Sequence, residues 1–222
     1  MKRLTLTFDN GPTEGITEPV LDVLQSFSVP ATFFLVGTQL AKPGAREIAE
    51  RALRCGHRLG NHSYHHGAPL GLQTEPGASS REILDMHHLM GDLTGPNPLY
   101  RPNGRGSMGP HLLSAEAIAT LSSIEATIVL WTSVPRDRKV VVDSPHLWVE
   151  DAKRDTFGCE WPVIVLHDRP SGFDAPGPMA FLSEFLRWAV DKVEFRQDFP
   201  TDCTPMISGV PTPRLKDIVT GN

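Results

Sequence analysis

The chain reads as an α/β protein built on a parallel sheet, either a barrel or a doubly wound sheet, and three observations predict this. Strand-like and helix-like segments alternate along most of its length. Two strand-like runs, Leu4 to Phe8 and Val163 to Leu166, end abruptly in polar pairs, Asp9-Asn10 and His167-Asp168. The second run is continuously apolar, as in strands buried on both faces of a parallel sheet. Polar residues at the C-terminal ends of such strands are where α/β barrels build their sites.

The elements follow in order. The alternating run at residues 4–8 is a strand ended by the Gly11-Pro12 break. Thr17 can cap a helix over roughly 18–27, with Val20, Leu24 and Phe27 on one face and Pro30 as its stop. Ala31 to Val36 reads as the second strand, and Pro43 to Arg54 as a helix closed by Gly56. The short Arg58-Leu59-Gly60 segment leads to a histidine-rich pentad, and Pro69 to Gly77 reads as a surface loop near it. Ser79 or Ser80 starts the next helix, which ends near Gly95. Leu99-Tyr100-Arg101 is a brief strand before the glycine-rich loop Pro102 to Gly109. Further on come a helix from Ser114 to Ser122, a strand at 126–131, a helix from Pro145 to Asp155 and the strand at 163–167. The last clear helix, Met179 to Val193, spaces Leu182, Phe185, Leu186, Ala189 and Val193 for one buried face, and residues 198–222 look irregular.

With 222 residues and 40% hydrophobic content, residues 1–222 suffice for one core and one domain. A net charge of −5 without a dense Lys/Arg patch argues against nucleic acid or an anionic membrane as the main partner. No apolar stretch of about 20 residues is present for a membrane span, nor an N-terminal export signal, so a cytoplasmic location is expected. Cys55, Cys159 and Cys203 are an odd number, far apart, which fits a reducing compartment and gives no CxxC zinc pair.

The pentad His62-Ser63-Tyr64-His65-His66 carries the most specific chemistry. On a helical turn, positions i and i+4 share a face, so His62 and His66 could bind one metal ion through two nitrogens. In isolation, such a pair more often packs a turn, and Asp9-Asn10 alone reads as an Asx turn after a strand. Their joint occurrence at strand ends, together with His167, argues against coincidence.

In sequence order, Thr7-Phe8-Asp9-Asn10-Gly11-Pro12, Asn61-His62-Ser63-Tyr64-His65-His66, Tyr100-Arg101-Pro102, Trp131 to Asp137 and Val165-Leu166-His167-Asp168 resemble the five motifs of the polysaccharide deacetylases, the NodB-homology enzymes of carbohydrate esterase family 4. The resemblance runs from residue 4 to about 168. It implies a distorted (β/α) barrel of seven or eight strands and metal-dependent removal of N- or O-acetyl groups from sugars. By the same resemblance Asp9 matches the general base, His167 the general acid, Arg101 the residue that orients the base, and Asp137 the acid that supports His167. Asn10, His62 and His66 match the metal ligands, with Zn2+ the expected ion. Tyr64, Asn103, Trp131 and Leu166 fall at substrate-binding positions.

Departures from the pattern bear on function. The usual Asp-Asp pair is Asp9-Asn10, which replaces an anionic ligand with a neutral amide and should weaken the metal. Asn103-Gly104 stands where the family has an aromatic, although the backbone N–H expected at an oxyanion site does not depend on the side chain. Arg138 replaces the motif-four Trp. Two alternatives stay open beside the deacetylase. One is a cytoplasmic hydrolase of a small non-peptide amide, favoured by the missing cleft aromatics; the other is a silent member that binds a carbohydrate or a partner, favoured by Asn10.

Overall fold

Alternation along β1 (Lys2–Asp9) sets the architecture: Leu4, Leu6 and Phe8 join the apolar layer under the helices, while Thr5, Thr7 and Asp9 face the other way. All six are buried, so β1 is central to the sheet. The computed structural model describes residues 1–138, 144, 146–169 and 178–220, without the side chains of Arg138 and Pro178. The cleft-wall role expected of Arg138 and the helix start expected at Pro145 therefore lie outside the described residues.

After β1 come α1 (Thr17–Ser26), β2 (Thr32–Leu35), the single turn α2 (Gly37–Leu40), α3 (Ala45–Arg54) and β3 (Arg58–Asn61). They are followed by α4 (Asp85–Met90), β4 (Leu99–Tyr100), α5 (Ala115–Ser123) and β5 (Thr127–Ile128). The chain continues through α6 (Leu147–Asp155), β6 (Val163–His167), α7 (Leu182–Ala189) and β7 (Val193–Arg196), then β8 (Met206–Ile207) and β9 (Val210–Pro211).

The sheet runs β6-β1-β2-β3-β4-β5 with every pair parallel, and β7 adds to the first half of β1, also parallel. Beyond β5 the chain returns to β6 through the parallel bridge Ser133 to Ile164, with Val165 N–H donating to Ser133 O at 3.0 Å. That bridge closes the ring. Because β4 and β5 are only two residues each, much of this wall is loop, and the result is a distorted (β/α) barrel. The hairpin β8-β9 pairs antiparallel with β5.

Two apolar layers form the core. One packs Leu4, Leu6, Phe8, Phe33, Ile164 and Leu166 against α1, α3, α6 and α7; the other gathers Tyr100, Ile128, Val163, Val165 and Met206 with α5. Each such side chain removed from water contributes about 1.5–3 kcal/mol.

Several element boundaries differ from the sequence expectation. The helix expected over 79–95 begins as a π-helical turn at Ser80–Leu84, becomes α4 and ends in a 3-10 turn at Gly91–Leu93. Val193 opens a strand rather than closing a helix, because pairing with Lys2 supplies the ladder bonds that another helical turn would have made internally. The tail expected to be irregular contributes β8 and β9.

Candidate active site

Asp9 ends β1 with its carboxylate turned into the barrel mouth, where Arg101, directly after β4, meets it. Arg101 is fully buried and its donors are well used: Nη1 donates to Asp9 Oδ1 at 2.8 Å and to Thr7 Oγ1 at 2.7 Å, Nε to Val129 O and Nη2 to Leu130 O. Its guanidinium also lies 4.0 Å from the Phe34 ring centroid. Burial alone would raise the pKa of Asp9, but Arg101, His62 and His167 outweigh it and hold the carboxyl below its ordinary value of 3.8. Asp9 is thus an anion across the neutral range.

His62 and His66 are brought together, with ring centroids 4.8 Å apart, but not by a helical turn. Residues 62–66 are an irregular loop in which Ser63 and His66 take left-handed φ angles of 68° and 54°. Local bonds hold that conformation. Ser63 N–H donates to Asn61 Oδ1 at 2.8 Å and His66 N–H to Ser63 Oγ at 3.1 Å, while Glu82 accepts from the backbone N–H of His65 at 2.9 Å. The expected i, i+4 helical geometry is therefore wrong, although the loop delivers the same pair of rings.

His62 Nδ1 lies 2.8 Å from Arg101 O. A carbonyl only accepts, so Nδ1 carries the hydrogen. Burial lowers the pKa of His62 and keeps the ring neutral, which leaves a lone pair on Nε2, 3.5 Å from Asp9 Oδ2. A nitrogen lone pair facing a carboxylate is unfavourable unless a cation stands between them. A backbone carbonyl on the far ring nitrogen is also the usual way a ligating histidine is oriented.

Asn10, at φ 83°, is 6% exposed, and among the described residues neither its Oδ1 nor its Nδ2 has a hydrogen-bond partner. Such an orphaned amide leaves an oxygen for a ligand. The imidazoles of His62 and His66, this amide and the nearby Asp9 carboxylate form a donor set that fits a divalent ion, with one carboxylate among them. Consistent with that composition, no cluster of three or more His, Cys, Asp or Glu side chains placed for a metal occurs among the described residues.

His167 closes β6 opposite Asp9, its register partner. Its Nδ1 is 3.0 Å from Asp137 Oδ2, and its backbone N–H donates to the same oxygen at 2.6 Å. The Asp137 side chain is fully buried, so its carboxylate fixes both the ring and the strand end. Asp9, His62, His66 and His167 line one cavity with Asn103 and Trp131, whereas Asn10 opens into an adjoining one that shares His66.

Two expected substrate contacts are corrected. Leu166 is fully buried in the layer beneath the helices, because strand alternation turns Val165 and His167 to the cleft and Leu166 away from it. Tyr64 packs on Gly37, where an added Cβ would come within 2.7 Å of its ring, and against the core rather than the cleft.

Sequence reasoning assigned Asp168 no role. It is fully buried, accepts from Thr17 Oγ1 at 2.6 Å, and leaves no room at Gly11, where a Cβ would sit 2.1 Å from Asp168 Oδ2. Burial pushes its pKa up to about 7. Asp168 and Thr17 together clamp the turn that carries Asp9 and Asn10. Thr17 read as a helix cap, but its hydroxyl serves a carboxylate 151 residues away, a contact with no local signal.

The fold and site define an α/β barrel with buried Asp, His and Arg side chains gathered at the C-terminal strand ends. The polysaccharide deacetylase family profile matches residues 1–119, and the chain belongs to that family. It is 44% identical over 106 residues to the peptidoglycan-N-acetylglucosamine deacetylase PgdA of Listeria monocytogenes, a match covering 46% of this chain and 22% of that protein. It is 30% identical over 173 residues to the peptidoglycan-N-acetylmuramic acid deacetylase PdaC of Bacillus subtilis, covering 75% of this chain and 32% of that one. The chain thus spans only a fifth to a third of the length of these relatives. In fold it is similar to a family 4 acetyl xylan esterase from Clostridium thermocellum in complex with cobalt, with a TM-score of 0.69, 23% identity, and 88% of this chain and 87% of that one covered. Solved relatives of this kind have the NodB barrel. Among the described residues, no helix is long and apolar enough to cross a membrane.

Proposed function

We propose that the chain is a deacetylase domain that hydrolyses the acetamido group of N-acetylated sugars. The observation that carries this reading is that Asp9 and His167 line one cavity, each fixed by its own buried partner, Arg101 and Asp137. Names of the relatives supply the substrate class: PgdA acts on N-acetylglucosamine and PdaC on N-acetylmuramic acid, both within peptidoglycan.

In the reaction, water adds to the acetyl carbon, the C–N bond breaks, and acetate and a free amine leave. Asp9, anionic and held through Oδ1 by Arg101, takes the water's proton. His167, with Nδ1 held by Asp137, turns Nε2 to the cavity and delivers a proton to the departing nitrogen. His62 and His66, with the Asn10 amide oxygen, would hold a divalent ion, Zn2+ or a similar cation; when bound it polarises the acetyl carbonyl and acidifies the attacking water. The backbone N–H of Asn103 would meet the oxyanion. Trp131 forms an apolar wall of the sugar site.

Acetate release from N-acetylglucosamine oligomers with zinc or cobalt present tests the proposal. His167→Ala is expected to lower kcat by about 10²–10⁴ with a much smaller change in KM, the signature of a group acting in the transition state. Absence of acetate, or an unchanged kcat in His167→Ala, would overturn it. Asn10 favours one competing reading, a family member that binds its sugar without cleaving it, and the same assay separates the two.

A further inference from the structure

The loop that carries His62 and His66 is strained and is fastened from outside. Ser63 and His66 hold left-handed φ angles of 68° and 54°, a conformation unfavourable for residues other than glycine. On one side the N–H groups of Gly37 and Thr38 donate to Ser63 O at 3.0 Å and Tyr64 O at 2.8 Å. The other side rests on the π-helical turn Ser80–Leu84, which the acetyl chemistry leaves without a role. Such wide turns recur at functional sites, and here Asp85 N–H donates to Ser80 O in the i+5 pattern. Two carbonyls of the turn face the loop. Glu82 O accepts from Tyr64 N–H at 3.0 Å and Ile83 O from Asn61 Nδ2 at 3.0 Å, while Asn61 Oδ1 accepts from Ser63 N–H at 2.8 Å.

Glu82 adds its carboxylate to the same loop. Oε2 accepts from His65 N–H at 2.9 Å, and Oε1 lies 2.9 Å from His65 Nδ1. The Glu82 side chain is 10% exposed and that of His65 58%, so the two contacts differ in weight. A buried carboxylate accepting a backbone N–H makes a charge-assisted bond little screened by water, whereas the ring contact reaches into solvent. The backbone tie is therefore the stronger, and it fixes His65 together with its neighbour His66.

Burying a glutamate on a helix is costly by itself. A wide helical turn and a buried charge, both aimed at residues 62–66, find their reason in what those residues present, two imidazoles with ring centroids 4.8 Å apart.

We propose that Glu82 is a positioning residue for the metal site: from its π-helical turn it holds residues 63–66 in the conformation that sets His66 beside His62, independently of the ion. This rests on the deacetylase reading above and its ligand pair His62 and His66. Removing groups that orient metal ligands weakens binding by about 10–100-fold. Glu82 acts through the backbone, one step further from the ion, so the lower end of that range applies.

The test is calorimetric zinc titration, with acetate release from an N-acetylglucosamine tetramer measured beside it, in the unaltered protein, Glu82→Ala, Glu82→Gln and His65→Ala. Glu82→Ala should weaken zinc binding by about tenfold, and at saturating zinc its kcat and KM should return toward those of the unaltered protein. Glu82→Gln keeps an oxygen for His65 N–H and should recover most of the affinity. His65→Ala keeps the N–H and loses the ring, so its zinc affinity should stay within about twofold, the scale of an exposed pair. A residue that only supports the fold would lower stability in urea and leave the zinc affinity of the folded protein unchanged. Equal zinc affinity in the unaltered protein and Glu82→Ala would overturn the inference, as would a larger loss in His65→Ala or an unaltered protein that takes up no zinc. Should Glu82→Ala not fold, hydrogen exchange in the zinc-free unaltered protein decides: slow exchange of the Tyr64 and His65 amide protons, both donated to Glu82, supports the positioning role, and fast exchange refutes it. Acetate reports separately, because zinc affinity that falls in Glu82→Ala without acetate release from any variant upholds the role of Glu82 and sinks the deacetylase reading.

Discussion

Asp9 and Asn10 are neighbours at the end of β1, 5% and 6% exposed, yet the fold treats them in opposite ways. Asp9 is braced by Arg101, whose other donors are occupied by Thr7, Val129 and Leu130, whereas neither amide atom of Asn10 meets a partner among the described residues. The same contrast separates the two halves of the site. His167 is locked to Asp137 through ring and backbone, while the His62 Nε2 lone pair looks toward a carboxylate. The half around Asp9 and His167 is braced by buried partners. The half around His62 and Asn10 is not, and Asn10 presents a neutral amide where a carboxylate would carry charge.

The largest effect should come from breaking the braced half. Arg101→Met leaves Asp9 buried without its counter-charge, and urea unfolding at neutral pH should show a loss of about 3–5 kcal/mol. The pKa of Asp9 is lowered in the folded state, so the pair's stabilisation is full above the ordinary value of 3.8 and disappears as pH falls through the lowered one. The gap between the two proteins should therefore close in acid. A loss below about 1 kcal/mol at neutral pH would mean the pair is no more than a surface bridge.

Asp168 should show the opposite pH dependence. Its folded pKa is raised to about 7, so the stability it contributes is complete below the unfolded value near 3.8 and is lost as pH rises toward 7. A tenfold difference in proton affinity between the folded and unfolded chain is worth about 1.4 kcal/mol, so stability should decline by a few kcal/mol over this window. Asp168→Asn should flatten that decline; an unchanged slope would assign it to other groups.

Gly11→Ala tests the clamp more gently. The added Cβ collides with Asp168, and overpacking of this kind costs about 1–3 kcal/mol. Because the displaced turn carries Asp9, kcat should fall as well, and a loss of stability without a loss of kcat would separate the clamp from catalysis.

Much of this was legible in the sequence where spacing and strand ends carry the signal. The polar pairs after β1 and β6 announced Asp9 and His167, and the resemblance pointed to Arg101 and Asp137. Illegible features depend on partners distant in sequence or on backbone conformations that spacing does not encode. Two left-handed residues, Ser63 and His66, make the histidine loop, and helical spacing is blind to them. Tyr64 is claimed by Gly37, and Asp168 by Thr17, through tertiary contacts alone. Leu166 was avoidable: parity with His167 turns Val165 to the cleft and Leu166 away.

The comparison between Asp9 and Asn10 is sharpest in a single paired measurement, divalent metal content and acetate release in the unaltered protein and in Asn10→Asp, after dialysis and after a zinc soak. Restoring an anionic ligand beside His62 and His66 should tighten metal binding by at least about tenfold and raise acetate release with it. Equal metal affinity in the two proteins would show that Asn10 is not a ligand and would contradict the account of the site.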